Sequence, residues 1–157
     1  ETTSPDYRKT VTASGLPFFE NYYAGGVSPS GRVRGFVDNT LGPRVPNAYG
    51  YLQPLGGALK TVGTLEMFFP KLINSPAARL SAFVDFGNVY ASRDGFDAGE
   101  FRASTGLSMM WRSPMGPISI SYAIPLESQK DVYGGAGELL RRGDETERLQ
   151  FTFGGAF

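Results

Sequence analysis

The chain has 157 residues, and its 15 Lys plus Arg balance 15 Asp plus Glu, so no global field points to nucleic acid or to a strongly charged surface. Cysteine and histidine are both absent, which removes disulfides, thiol nucleophiles, imidazole bases and the common zinc ligand sets. No cofactor and no metal are therefore expected, and an enzyme reading loses its usual reagents.

The 21 Gly, 12 Phe and 8 Tyr describe turns and aromatics, as in an all-β chain of many short strands. No apolar run approaches the roughly 18 residues of a spanning helix. That rule is blind to transmembrane barrels, whose strands carry only about 10 alternating residues each. Nothing at Glu1 reads as a secretory leader, so the sequence is expected to be a mature chain or a piece of a longer one.

In chain order, Tyr7 to Ala13 reads as a strand of undefined orientation and Phe18 to Ala24 as a short aromatic strand. From Gly25 to Gly56, Gly, Pro, Ser and Asn are dense and alternation lapses. This predicts one loop of about thirty residues where connections usually run 4–6, and loops that long are commonly functional or disordered. Gly57 to Phe69 sets Leu59, Leu65, Met67 and Phe69 against Lys60, Thr64 and Glu66. Arg79 to Tyr90 sets Leu80, Ala82, Val84 and Phe86 against Arg79, Ser81, Asp85 and Gly87. Phe101 to Trp111 sets Phe101, Ala103, Thr105, Leu107, Met109 and Trp111 against Arg102, Ser104, Gly106 and Ser108. Ile118, Ile120, Tyr122 and Ile124 oppose Ser119, Ser121 and Ala123. At the end, Leu149, Phe151, Phe153 and Phe157 share one face, with Arg148, Gln150, Thr152, Gly154 and Ala156 on the other.

In each strand the charges keep away from the aliphatic row. A lipid-facing Arg or Lys costs roughly 2–4 kcal/mol near a bilayer midplane, whereas a sandwich strand obeys only a weaker version of that rule. The connections separate the two architectures. Ser113 to Pro117 is a tight turn, while Val89 to Glu100 and Glu127 to Glu147 are long, polar and Gly-rich. Alternating short and long links are the signature of an outer-membrane antiparallel β-barrel with short periplasmic turns and long external loops. Phe69, Trp111 and Phe157 are then expected near the periplasmic interface, and Tyr90 and Phe101 at the opposite rim. Gly154-Gly155 reads either as a bulge or as a weakly paired end of the final strand.

Inside the long loop lies Val33-Arg34-Gly35-Phe36, preceded by Glu20-Asn21-Tyr22-Tyr23-Ala24-Gly25-Gly26 and followed by Asn39-Thr40-Leu41-Gly42-Pro43. With the TLEMFFP strand, the FVDFGNVY strand, the RSPMGPISISYAIPL hairpin and the terminal phenylalanine, this ordered set resembles the carboxyl-terminal part of the barrel in the BamA family of outer-membrane assembly factors. The likeness runs from Leu16 to Phe157. It implies a bacterial outer-membrane location and insertion of β-barrel proteins without covalent chemistry. The partners it implies are outer-membrane lipid, unfolded barrel precursors and accessory lipoproteins, with no nucleic acid.

The resemblance also implies that the loop folds back into the lumen and that Arg34 pairs with acids on inward strand positions. Asp85 and Glu66 lie on the polar faces of consecutive strands and suit a bidentate guanidinium. Lone acids on strands are more often structural than catalytic, so the pair is not read as glycoside chemistry. Gly35 is expected to allow close approach or positive φ, and Phe36 to pack inside. Leu149, Phe151, Phe153, Gly154, Gly155 and Phe157 are expected to form one side of a seam.

The first fifteen residues depart from the family pattern, which has an extra strand and hairpin between Ala13 and Leu16. The six or seven strands expected here are too few for the family's sixteen, so open edges must pair with further strands or self-associate. A related polypeptide-translocating barrel shares the tetrad. A passive channel or adhesin barrel would need selectivity charges and no inserted loop, and a soluble β-sandwich would bury the aliphatic rows.

Overall fold

The computed structural model describes residues 20–46, 51–73, 75–133, 135, 139–141 and 143–154. The strand expected over Tyr7 to Ala13, and Gly155 and Phe157, lie outside the described residues.

The scaffold is one antiparallel sheet. Three short strands come first, β1 (Gly35–Phe36), β2 (Arg44–Pro46) and β3 (Leu52–Pro54), all within the loop expected from Gly25 to Gly56. The long strands follow as β4 (Leu59–Phe68), β5 (Ala78–Tyr90), β6 (Arg102–Ser113) and β7 (Gly116–Glu127). A small hairpin, β8 (Val132–Tyr133) with β9 (Leu139–Arg141), precedes β10 (Thr146–Glu147) and β11 (Leu149–Phe153). The main sheet has the order β11-β7-β6-β5-β4, with consecutive strands paired and β11 folded back beside β7. Tight turning at Pro114-Met115 joins β6 to β7, while two 3-10 turns, Arg93–Gly95 and Ala98–Glu100, occupy the longer link from β5 to β6.

The two faces of this sheet differ as the alternation requires. Leu65, Met67, Leu107, Met109, Trp111, Ile120, Tyr122, Ile124, Leu149, Phe151 and Phe153 are all exposed on the outer face. Register aligns them into cross-strand rows, such as Leu107 beside Tyr122 beside Leu149, and Met109 beside Ile120 beside Phe151. Bare apolar side chains aligned in rows across neighbouring strands differ from the singly scattered apolar residues of ordinary soluble surfaces and mark a face that meets lipid or a partner.

The packed core lies on the other side. Ala24, just before the loop, and Val33, Phe36 and Leu41 within it bury themselves against Val89 of β5, on the face that carries Ser81, Asp85, Ser104, Ser108, Ser121 and Gln150. A sandwich would have used the aliphatic rows for its core; this chain leaves them bare and covers its polar face instead.

Several expectations require correction. Phe18 to Ala24 is not a regular strand in its described part: Glu20 has 3-10 geometry, and Tyr22, Ala24 and Gly26 form isolated bridges to Gly57, Leu41 and Val33. The Gly25–Gly56 loop is a compact insertion held by these bridges and by the β2–β3 hairpin. Alternation fails there because single bridges impose no period-2 burial. The inner face is also less uniformly hydrophilic than its sequence rows, since Phe83 and Val89 are buried on it. Tyr90 and Phe101 do lie at the rim opposite Trp111, but Tyr90 is buried, its ring tilted at 56° against Phe96, which in turn meets Phe101 edge-on.

Candidate functional site

A trough in the inner face receives the tetrad. Gly106 lies opposite Phe83, with Ala123 beside it on β7, so the sheet presents almost no side-chain bulk at this point. A Cβ on Gly106 would stand 2.0 Å from the Tyr122 carbonyl oxygen and 2.8 Å from the Phe83 ring, so only glycine fits between them. Gly35 enters the trough with φ +90, a conformation open to glycine at little cost. A Cβ there would stand 3.1 Å from that of Ala123 and 3.4 Å from that of Ser104.

Arg34 is thereby set against Asp85. Its Nε donates to Asp85 Oδ2 at 2.7 Å and its Nη2 to Oδ1 at 2.9 Å, the parallel fork of a bidentate pair. Its main-chain N–H adds a third bond to Oδ2 at 3.0 Å. Nη1 reaches Glu66 Oε1 at 3.4 Å, and Glu66 is held in turn by the Ser81 hydroxyl at 2.7 Å. The guanidinium carbon lies 3.4 Å from the centroid of Phe83, a cation–π contact on its open face. Ser104 Oγ donates to the Arg34 carbonyl. Asp85 is 0 % exposed and Arg34 2 %, so each charge relies on the other for what water would otherwise supply. Arg32, two residues earlier, is 3.9 Å from Glu66 and much more exposed.

The rest of the tetrad is gripped through its backbone. Gly35 and Phe36 pair with Glu147 and Thr146, and the Val37 N–H donates to the Glu145 carbonyl at 2.9 Å. The side-chain amide of Gln150 then makes two bonds to the loop: it accepts from the Gly35 N–H at 3.0 Å and donates to the Phe36 carbonyl at 2.8 Å. Phe36 is fully buried among Ala24, Val33, Leu41 and Val89.

A second ionic centre ties the longer loops together. Asp144 accepts from Arg102 Nε at 2.8 Å and from the Gln129 N–H at 2.6 Å, with Arg44 Nη2 3.9 Å away. Arg44 also donates to the carbonyls of Thr40 and Gly143. One carboxylate thus joins the tetrad loop, the start of β6 and the loop after β7. Sequence reasoning missed Asp144, because the long loop carries several acids and nothing in their spacing singles one out. It also missed Phe83 and Gln150 as partners of the tetrad, although Gln150 stood on the correct face.

Of the residues expected at a seam, Leu149, Phe151 and Phe153 are exposed on the outer face of β11, an end strand of the sheet. Gly154 has φ +69, and its N–H donates to the Pro117 carbonyl at 2.9 Å just past the end of β11.

An antiparallel sheet with a bare apolar outer face, and an inner face that buries an arginine lock, defines part of a transmembrane β-barrel with an inward-folded loop. The chain belongs to the Omp85 superfamily, whose domain profile matches residues 2–157. It is 34% identical over 168 residues to the outer membrane protein assembly factor BamA of Neisseria meningitidis serogroup B, an alignment covering 90% of this chain and 19% of that protein. The BamA of Nitratidesulfovibrio vulgaris is 33% identical over 120 residues, covering 74% of this chain and 14% of that protein. Among solved structures, BamA from Haemophilus ducreyi lacking POTRA domains 1-3 superposes with a TM-score of 0.64 at 30% identity, covering 87% of this chain and 27% of that one. The chain thus spans less than a fifth of the length of these two curated relatives. Its place is the bacterial outer membrane.

Proposed function

We propose that this chain forms the carboxyl-terminal part of the barrel of an outer-membrane assembly factor, with residues 25–56 as its inward loop. In this reading it inserts β-barrel proteins into the outer membrane as part of a larger complex with accessory lipoproteins. The action is physical and non-enzymatic: β11 forms one side of a seam, and an unfolded precursor adds a strand to the exposed edge by main-chain hydrogen bonds.

The observation that carries the reading is the buried Arg34–Asp85 fork, which seats the loop on β5 at the inner face of the sheet, while the same loop reaches the end strand β11 through Gln150. Three donors from one arginine hold the loop in the cavity, so the inner wall stays rigid behind β11, which has no strand partner on its far side among the described residues. A passive channel would leave that cavity open. Leu149, Phe151 and Phe153 face lipid in this account, and opening begins at the carboxyl-terminal end of β11.

The test is capture of nascent barrel precursors by a cysteine at Thr152 in the full-length membrane protein. Disulfide-linked adducts with the terminal strands of precursors are expected. Failure to trap any precursor, with the cysteine reactive to small reagents, overturns the seam mechanism.

A further inference from the structure

Side-chain alternation leaves one ambiguity in the edge strand. A one-residue slip of β11 along β7 would turn Phe151 inward and is forbidden by the faces. A two-residue slip is not. The outer row of β7 is Ile118, Ile120, Tyr122 and Ile124, and that of β11 is Leu149, Phe151 and Phe153, so every even slip sets apolar beside apolar. The inner row, with Ser119, Ser121 and Ala123, is equally permissive toward Thr152. With only five residues, β11 also has few ladder bonds to resist sliding against its twelve-residue neighbour.

The degeneracy is broken by the pairing of Thr146 and Glu147 with the tetrad just before β11 and, within β11 itself, by Gln150. Gln150 is 4 % exposed, and both ends of its amide are used on the tetrad backbone, one accepting from Gly35 and one donating to Phe36. In extended backbone the N–H of one residue and the C=O of the next point to opposite edges; the left-handed φ of Gly35 departs from that geometry where both converge on one side chain. A two-residue slip would present Thr152 or Arg148 instead. Threonine is too short to span both groups, and arginine has no acceptor for the Gly35 N–H. Either slip leaves buried main-chain groups unmet, which a folded chain resists.

We propose that Gln150 is a positioning residue that pins the register of β11 to the tetrad loop, and through it the register at which an incoming strand is added. This rests on the assembly reading above. The loop is fixed to β5 by Arg34, so the chain of command runs from Asp85 through Arg34 and Gly35 to Gln150 and then to the open edge.

The experiment uses the full-length protein in outer membranes, with Thr152→Cys combined either with Ser119→Cys, its in-register partner, or with Ser121→Cys, the partner after a two-residue slip. With Gln150 intact the first disulfide dominates. Gln150→Leu is expected to lower the ratio of in-register to slipped disulfide about tenfold, the worth of roughly one net buried hydrogen bond. Gln150→Glu keeps the length and the acceptor but sets a carboxylate oxygen against the Phe36 carbonyl, so it lowers the ratio at least as much; it also carries the test should the leucine variant fail to reach the compact, heat-modifiable folded form. A substrate-strand cysteine is expected to link to one position in the wild type and to positions two residues apart in the variants. An unchanged ratio in the folded variants overturns the pin. A changed ratio with an unchanged substrate position overturns its role in templating. A wild-type protein that links to no substrate defeats the assembly reading while the intramolecular ratio still decides the pin.

Discussion

Truncating Arg34 to alanine is the most informative single perturbation, because the structure specifies what is left behind. Asp85 is wholly buried, and of its three donors from Arg34 only the main-chain N–H survives the change. The cation–π contact with Phe83 and the approach to Glu66 also vanish. Stranding one member of a buried pair costs about 3–5 kcal/mol. At about 1.4 kcal/mol per decade, that raises the opening constant of the loop by roughly two to four orders of magnitude. Hydrogen exchange of the Gly35 and Val37 amides, each bonded to the terminal segment, reads that opening directly. Arg32→Ala is the internal control: its side chain is 40% exposed and only 3.9 Å from Glu66. Exposed pairs are worth about 0–1 kcal/mol, so exchange should barely change. Equal protection in the Arg34 and Arg32 variants would refute the reasoning, as would additive rather than coupled effects when Arg34→Ala is combined with Asp85→Ala.

Gly35→Ala should loosen the same loop by about 1–2 kcal/mol, since the residue has φ +90 and the new Cβ would meet Ala123 at 3.1 Å; Ala123→Gly should restore only the steric part, and exchange at Val37 measures both. Asp144→Ala removes the shared partner of Arg102 and the Gln129 N–H, so protease cleavage within 128–143 should accelerate while protection at Gly35 stays close to wild type. Met109→Lys places a charge on the outer wall and should cost roughly 2–4 kcal/mol of membrane stability. Met110→Lys, one residue on, lies on the cavity side with Ser108 and Arg112 and should be tolerated, as measured by the heat-modifiable folded fraction.

The outer wall was legible from sequence because a lipid-facing row demands period-2 alternation with no charge. The meeting of Arg34 with Asp85 and Glu66 was readable from two polar strand faces and a family resemblance. What stayed hidden had no periodic signal. Phe83 breaks the polar inner row because a flat ring, not a hydroxyl, lies under the guanidinium, and only Gly106 across the ladder hints at the space. Gln150 could be assigned a face but not a partner, since alternation reports sidedness and is silent on register. The core of Ala24, Val33, Phe36, Leu41 and Val89 is assembled by single bridges from an aperiodic loop, so no pattern announces it.

The account depends above all on which medium each face of the sheet meets. Nitroxide labels placed singly at Ile120 and Ser121, adjacent on β7 and on opposite faces, measure this through their relaxation by oxygen and by a water-soluble nickel chelate in bilayers. The label at position 120 should be relaxed by oxygen and shielded from nickel, and the label at 121 should be protected from lipid-borne oxygen. A label at 120 shielded from both reagents would put the apolar row inside a dry protein core and contradict the account.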